Sequence, residues 1–266
     1  MDKEKRISKN RYRFVAPGNN YEDYSSGRVL YGAPGATNFS VRLISEIFQR
    51  CAEYLNSKGN SGPFVIYDPL CGAGYSLAVL GLLHGSSLQS IFASDINSTL
   101  LEFANKNLSL VNASGLDKRI DELKVFIERY TKPSHKDALD SAYRLKDKIT
   151  SHPSIDVRAF HADILDEITL PAFLSGVDIA ITDLPYGELT SWGGMGDDAT
   201  ATRTLLDKLH DRLHGPAIAA ISSHKTQRLE YDAGKYHEIM AFILEKRRIV
   251  LLEPTGLPPA PTHPPR

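Results

Sequence analysis

The sequence predicts an α/β domain with helices on both faces of a mostly parallel sheet, and three observations carry that prediction. Short, almost continuously apolar runs at 64–68, 177–182 and 217–222 read as strands covered on both sides. Stretches with helical apolar spacing alternate with them. Between the first strand and the next helix, "VIYDPLCGAGYSLAVLGLLHG" (65–85) holds a turn with two glycines, where a doubly wound sheet binds its ligand.

The elements follow in order. From Ser40, the residues Val41, Ile44, Phe48, Ala52 and Leu55 share one helical face, with Ser40 as N-cap and Gly59 past the end. Strand 64–68, the glycine turn, a helix at 75–83 and a strand at 90–94 make one strand-helix-strand unit. A second amphipathic helix is capped by Asn97 or Ser98. The next strand, "DVRAFHAD" at 156–163, comes only after an insertion of about 115–150 that reads as two helices broken at Lys132-Pro133. Nine Lys/Arg against seven Asp/Glu from Asp117 to Lys148 suit a solvated helical pair packed on the domain, with a substrate-facing surface as the alternative. Strand 177–182, a polar glycine loop, a helix at 200–213, strand 217–222 and an antiparallel hairpin joined at Lys246-Arg247 complete seven strands. Ahead of all this, 28–31 reads as a short strand in otherwise irregular chain.

At 266 residues, 42% hydrophobic and 24% charged, the chain has material for one large domain with an insertion. We divide it into a basic, irregular arm (1–27), the main domain (28–253) and a tail (254–266) that carries six of the fifteen prolines. A net charge of -1 argues against wholesale attraction to polyanions, yet six basic residues against one acid between Lys3 and Arg13 suit either a solvated tail or a phosphate-contacting arm. Cys51 and Cys71 lack metal or disulfide spacing, and the nine histidines are scattered, so no metal is expected. No apolar run reaches a membrane span, and a cytoplasmic protein without membrane partners is expected.

The chemistry concentrates at the strand ends. Gly72 and Gly74 permit positive φ and a close backbone approach, and Tyr75 opens a helix whose amides face the same spot. A dinucleotide fingerprint wants a third glycine where this chain has Leu77. Asp68, Asp95 and Asp163 end three successive strands, so their carboxylates line one rim: Asp95 for the hydroxyls of a ribose, Asp163 for an exocyclic amine of adenine, Asp68 for a cationic amino group. After the fourth strand comes "ITDLPYGE" (181–188), in which Asp183 and the Leu184 carbonyl can accept the hydrogens of an amine conjugated to a purine. Pro185 kinks the chain, Tyr186 can stack on an extruded base, and Trp192 offers either a second platform or a loop anchor.

These motifs together resemble the class I S-adenosylmethionine-dependent methyltransferases, with D-x-x-x-G-x-G at Asp68 to Gly74, acidic ends at Asp95 and Asp163, and Asp183-Leu184-Pro185-Tyr186 in place of [DN]-P-P-[YFW]. Leu184 departs from the usual first proline. The resemblance implies a Rossmann-like methyltransferase fold and S-adenosylmethionine as cofactor, held by Asp68, Cys71, Gly72, Gly74, Tyr75, Asp95, Asp163 and Asp183. It implies Asp183, Pro185 and Tyr186 as the catalytic set.

More closely, "APGATNFSVRLISEIFQR", "DPLCGAGYSLAVLGLLH", "IFASDIN", "ANKNLSLVNASGL", "TKPSHKDALDSAYRL" and "TDLPYGELTSW" resemble the avilamycin-resistance 23S rRNA guanine methyltransferases from about residue 28 to 253. That likeness implies methylation of a guanosine of 23S rRNA in the large ribosomal subunit, with protection from orthosomycin antibiotics. The exocyclic N2 is the expected atom, with ring N1 as the alternative. His135 stands where an aromatic residue is expected in the insertion. The competing functions are an amino methyltransferase of other nucleic acid or of protein glutamine, and a non-catalytic rRNA-binding or assembly factor. Intact Asp183, Pro185 and Tyr186 disfavour the last.

Overall fold

The apolar run at 64–68 forms β1 (Phe64–Asp68), with every residue buried. Its side chains alternate between two cores. Phe64 and Ile66 join one apolar cluster, and Val65 and Tyr67 join the other, on the opposite face of the sheet. The computed structural model describes residues 11–15, 18–36, 38–166, 170–185, 198–227 and 229–258. Tyr186, Trp192, residues 1–10 of the basic arm and most of the proline-rich tail lie outside the described residues.

Among the described residues, seven strands run in the order β3-β2-β1-β4-β5-β7-β6. The first five, β1, β2 (Leu88–Asp95), β3 (Asp156–His161), β4 (Val177–Asp183) and β5 (Leu213–His224), are parallel to their neighbours. β6 (Tyr236–Leu244) and β7 (Arg247–Pro254) pair antiparallel, and β7 also runs antiparallel to β5. The strand order reverses between β1 and β4, which opens a crevice at their carboxyl ends. This is the mostly parallel, Rossmann-like sheet with an antiparallel C-terminal hairpin that the sequence predicts.

Helix α1 (Val41–Ser57) starts at Ser40, whose side chain accepts from the Leu43 N–H. α2 (Tyr75–His84) follows the glycine turn, and α3 (Ser98–Ser109) is capped by Asn97. The insertion is two helices, α4 (Ala113–Tyr130) and α5 (Pro133–Ile149), broken where Pro133 cannot continue α4 and instead starts α5. Their inner faces bury Leu116, Ile120, Leu123, Ala142 and Leu145 in the first core cluster. α6 (Asp198–His210) places Leu205 and Leu209 in the second.

Three details differ from expectation. The strand expected at 28–31 is a single bridge between Ser26 and Leu30. Side chains take its backbone groups instead. Arg119 donates to the Arg28 and Val29 carbonyls, and Asn107 exchanges hydrogen bonds with Tyr31. The third strand ends at His161, two residues before Asp163, because the chain turns where the Asp163 side chain accepts the Leu165 N–H. α6 ends at His210 rather than 213, since Leu213 already begins β5.

Candidate active site

The glycine turn is held open by the neighbouring strand. Gly72 (φ 53°) and Gly74 (φ 67°) both adopt the left-handed conformation. The Gly72 N–H donates to Asp95 Oδ2 at 2.8 Å, and Cys71 N donates to the Ser94 carbonyl at 2.9 Å. Asp95 Oδ1 accepts the Asn97 N–H at 2.8 Å, so one carboxylate ties the turn to the start of α3. A Cβ on Gly74 would meet Ala104 Cα at 2.9 Å, so the second glycine permits α3 to approach the turn. Burial raises the Cys71 thiol well above its ordinary value, which keeps it neutral.

Asp68 lies at the tip of β1 and is buried. Its Oδ1 accepts the Leu70 N–H at 3.0 Å. Burial pushes its carboxyl up to about 7, against the pull of that hydrogen bond, and the charges of Asp95 and Asp183 push the same way. A carboxylate in that environment gains from a cationic partner.

Asp183 lies at the tip of β4. Arg247, at the start of β7, places Nη1 2.6 Å from its Oδ1 and 2.5 Å from its Oδ2. Burial pushes the Asp183 carboxyl up to about 6, although Arg247 and Ser222 both pull it down. The corner after it is fixed from two sides. Leu184 N donates to the Ser222 carbonyl at 2.9 Å, and the Pro185 carbonyl accepts from Gln227 at 3.1 Å. Leu184, where the motif has proline, is buried in the second core cluster, so packing anchors the corner at the position where a proline ring is lacking.

Asp68, Asp95, Asp183, Cys71, Gly72 and Pro185 line a cavity of about 470 Å³. Its far wall is the irregular segment ahead of α1, including Pro34, Asn38 and Phe39, and Ile96 and Leu100 supply apolar surface. Two side chains tie the chain that leads into that wall, at Tyr24 and Tyr31, to the elements around the glycine turn. The Tyr75 hydroxyl donates to the Tyr24 carbonyl at 2.7 Å, and Asn107 donates to the carbonyls of both Tyr31 and Ala73. Gly74, Tyr75 and Asp163 do not line this cavity. Gly74 and Tyr75 support its floor and wall, and Asp163 sits in the turn after β3. Tyr186 lies outside the described residues.

A second cavity of about 540 Å³ adjoins the first, lined by Asn38, Ser40, His224, Glu245, Lys246 and Arg247. Asn38 borders both. The sequence reading missed Asn38, Phe39 and Arg247. The first two lie in the irregular stretch just before the Ser40 cap, and Arg247 reads as a hairpin charge.

The cavity's chemistry suits a cationic ligand with an adenosine-sized planar part: three carboxylates, the amino end of α2 at Ser76, and an apolar side wall. Among the described residues no group of three or more His, Cys, Asp or Glu is arranged to hold a metal ion, and no helix is long and apolar enough to cross a membrane.

The family described as rRNA methyltransferase AviRa matches residues 10–247. A 23S rRNA (guanine(2535)-N(1))-methyltransferase of Streptomyces viridochromogenes is 40% identical over 214 residues, 79% of this chain and 84% of that protein. The solved structure of the rRNA methyltransferase aviRa from Streptomyces viridochromogenes superposes with a TM-score of 0.81 at 36% identity, covering 91% of this chain and 96% of that one. TrmN from Thermus thermophilus, at 15% identity and a TM-score of 0.50 over 81% of this chain and 49% of its own, shares the fold. The match over residues 10–247 and the 40% identical relative, on a shared fold, place the chain in the AviRa rRNA methyltransferase family.

Proposed function

We propose that this protein transfers a methyl group from S-adenosylmethionine to N1 of a guanosine in 23S rRNA. The observation that carries the reading is the convergence of Asp68, Asp95 and Asp183, from three strand tips, on one cavity in a chain of this family. Bound there, S-adenosylmethionine supplies a methyl group already activated by its sulfonium.

The residues divide the work. Asp68 takes the α-amino end of the cofactor, where a cation relieves a carboxylate that burial otherwise disfavours. Asp95 receives the ribose hydroxyls on the lone pairs its two backbone hydrogen bonds leave. Asp163, in the turn after β3 and outside the cavity lining, takes the adenine amine on the sequence reading alone. Gly72 keeps a Cβ out of the site, and Phe39, Ile96 and Leu100 give the rings an apolar wall. Asp183 accepts the proton of the target nitrogen, Pro185 holds the corner, and Tyr186 stacks on the extruded base.

N1 is favoured over the exocyclic N2 on two grounds. The 40% identical relative is named for N1. A ring N–H must also lose its proton to attack, and Asp183, raised to about 6, is a stronger base than an ordinary carboxylate. The large ribosomal subunit is the partner on this reading, and the modification protects it from orthosomycins, as the sequence resemblance implies.

The test is incubation with labelled S-adenosylmethionine and large subunits, free 23S rRNA, DNA or a glutamine peptide, followed by mapping of the modified atom. N1-methylguanosine at one rRNA position is the expected result. Label confined to DNA or peptide overturns the reading.

A further inference from the structure

We propose that Arg247 is a catalytic residue that holds the O6 of the target guanine in the cavity behind Asp183, taking up the charge that appears there when N1 loses its proton. The proposal rests on the guanine N1 reading above.

The first ground is placement. Arg247 lines the second cavity and donates to Asp183, which lines the first, so their pair forms the boundary between the two. A base seated in the second cavity with its edge on this pair faces the methyl donor site across Asp183. Asn38 borders both cavities as well.

The second ground is complementarity. Guanine presents O6 as an acceptor beside N1–H as a donor. A guanidinium beside a carboxylate presents the opposite pair, a donor next to an acceptor, and a planar guanidinium has five N–H groups with which to serve both partners.

The third ground is the backbone. Leu244 and Arg247 pair across a two-residue hairpin turn whose first residue, Glu245, has φ 55°. That position favours glycine, and a glutamate held there carries strain. Its carboxylate is fastened by the Tyr12 hydroxyl at 2.6 Å and the Ser40 hydroxyl at 2.7 Å. The strained turn is thus tied to the start of α1, and it fixes where β7 begins. The Arg247 guanidinium also lies over the Phe39 ring, 5.3 Å from its centroid, which sets the plane of the fork.

The step balances as follows. N1–H passes its proton to Asp183, which becomes a carboxylic acid. The N1 electron pair forms the new N–CH3 bond, and the carbon–sulfur bond breaks with its pair going to sulfur, which becomes a neutral thioether. Negative charge that would gather on O6 during proton loss is met by the Arg247 guanidinium, a fixed cation needing little reorganisation. Asp183 then returns its proton to water.

The test compares wild type with Arg247→Met, Arg247→Lys and Arg247→Ala on rRNA carrying guanosine or inosine at the target. Inosine keeps O6 and N1–H but lacks N2. Wild type is expected to methylate both. Arg247→Met is expected to lose about 10²–10³-fold in kcat on both, with the Kd for S-adenosylhomocysteine within threefold. Arg247→Lys should recover only part, and added guanidinium should rescue Arg247→Ala. Should Arg247→Met prove unfolded, the guanidinium rescue and the lysine variant carry the test.

Two results overturn the proposal while leaving the N1 reading in place: kcat of Arg247→Met within threefold of wild type, or its full recovery at about pH 8.5, which would reduce Arg247 to keeping Asp183 ionised. Refusal of inosine by wild type, with guanosine accepted, moves the methyl to N2 and overturns both.

Discussion

The carboxylate of Asp95 accepts the Gly72 N–H at 2.8 Å and the Asn97 N–H at 2.8 Å, so the tip of β2 holds the glycine turn after β1. The side chain therefore does two things: it faces the cavity, and it shapes the turn that forms the cavity floor. Replacing Asp95 by Ala leaves two backbone donors without their acceptor and frees a turn built on two left-handed glycines. We expect the affinity for S-adenosylhomocysteine to fall by at least about tenfold, since one charge-assisted hydrogen bond contributes about 1.5–3 kcal/mol. Asp95→Asn should keep part of the turn and lose less. Calorimetric titration of both variants checks this, and equal affinities for wild type and Asp95→Ala would contradict it.

Asp68 gives a stability prediction with a definite sign. Its folded value, about 7, lies above the ordinary aspartate value of 3.8, chiefly through burial. A group raised on folding contributes its stability fully below the unfolded value and loses it as pH rises through the folded one. The unliganded protein is thus penalised by this charge at pH 8. Asp68→Asn, which can still accept the Leu70 N–H, should gain about 1–3 kcal/mol at pH 8 and little near pH 4, while binding S-adenosylmethionine at least about tenfold more weakly. Melting curves across that range test it. A gain independent of pH would count against the buried charge.

Asp183→Asn should lower kcat by about 10²–10⁴-fold, the span of a positioned general base, with S-adenosylhomocysteine affinity within a few fold. In the wild type, kcat should fall as pH drops through about 6, where Asp183 takes up a proton. A pH–rate profile flat across that interval would remove the base role from Asp183.

Glu46 predicts a structural effect away from the chemistry. It is fully buried on α1, accepts the Arg50 Nε–H at 2.8 Å, and also receives the backbone N–H groups of Arg13, Phe14 and Val15. Arg50 itself stacks on Phe242. Removing one side of such a buried pair leaves the other unpaired, so Glu46→Ala should cost about 3–5 kcal/mol. It should also release residues 11–15 to proteolysis. Denaturant melts and limited digestion read the two effects, and a loss under about 1 kcal/mol would contradict the first.

Most of the fold was legible because its signals are local. Continuous apolar strands, the Ser40 and Asn97 caps and the Pro133 break each announce an element within a few residues. Asp68, Asp95 and Asp183 were legible for the same reason, since a strand end places its own last side chain. Asp163 was less so, because an Asx turn ends β3 two residues early. Arg247 was not legible as a site residue: it reaches Asp183 only through the antiparallel return of β7 beside β5, a pairing 64 residues apart in the chain. The cavity wall at Pro34 to Phe39 was hidden similarly. The chain that leads into it is fixed at Tyr24 by the Tyr75 hydroxyl and at Tyr31 by Asn107, and neither bond leaves a pattern in the sequence.

The central claim is that the acidic strand tips hold a sulfonium donor, and direct titration of the folded protein with S-adenosylmethionine and S-adenosylhomocysteine tests it most closely. One site per chain, weakened by Asp68→Asn and by Asp95→Ala but little changed by Asp183→Asn, is the predicted result. No binding heat from either ligand with well-folded protein would contradict it.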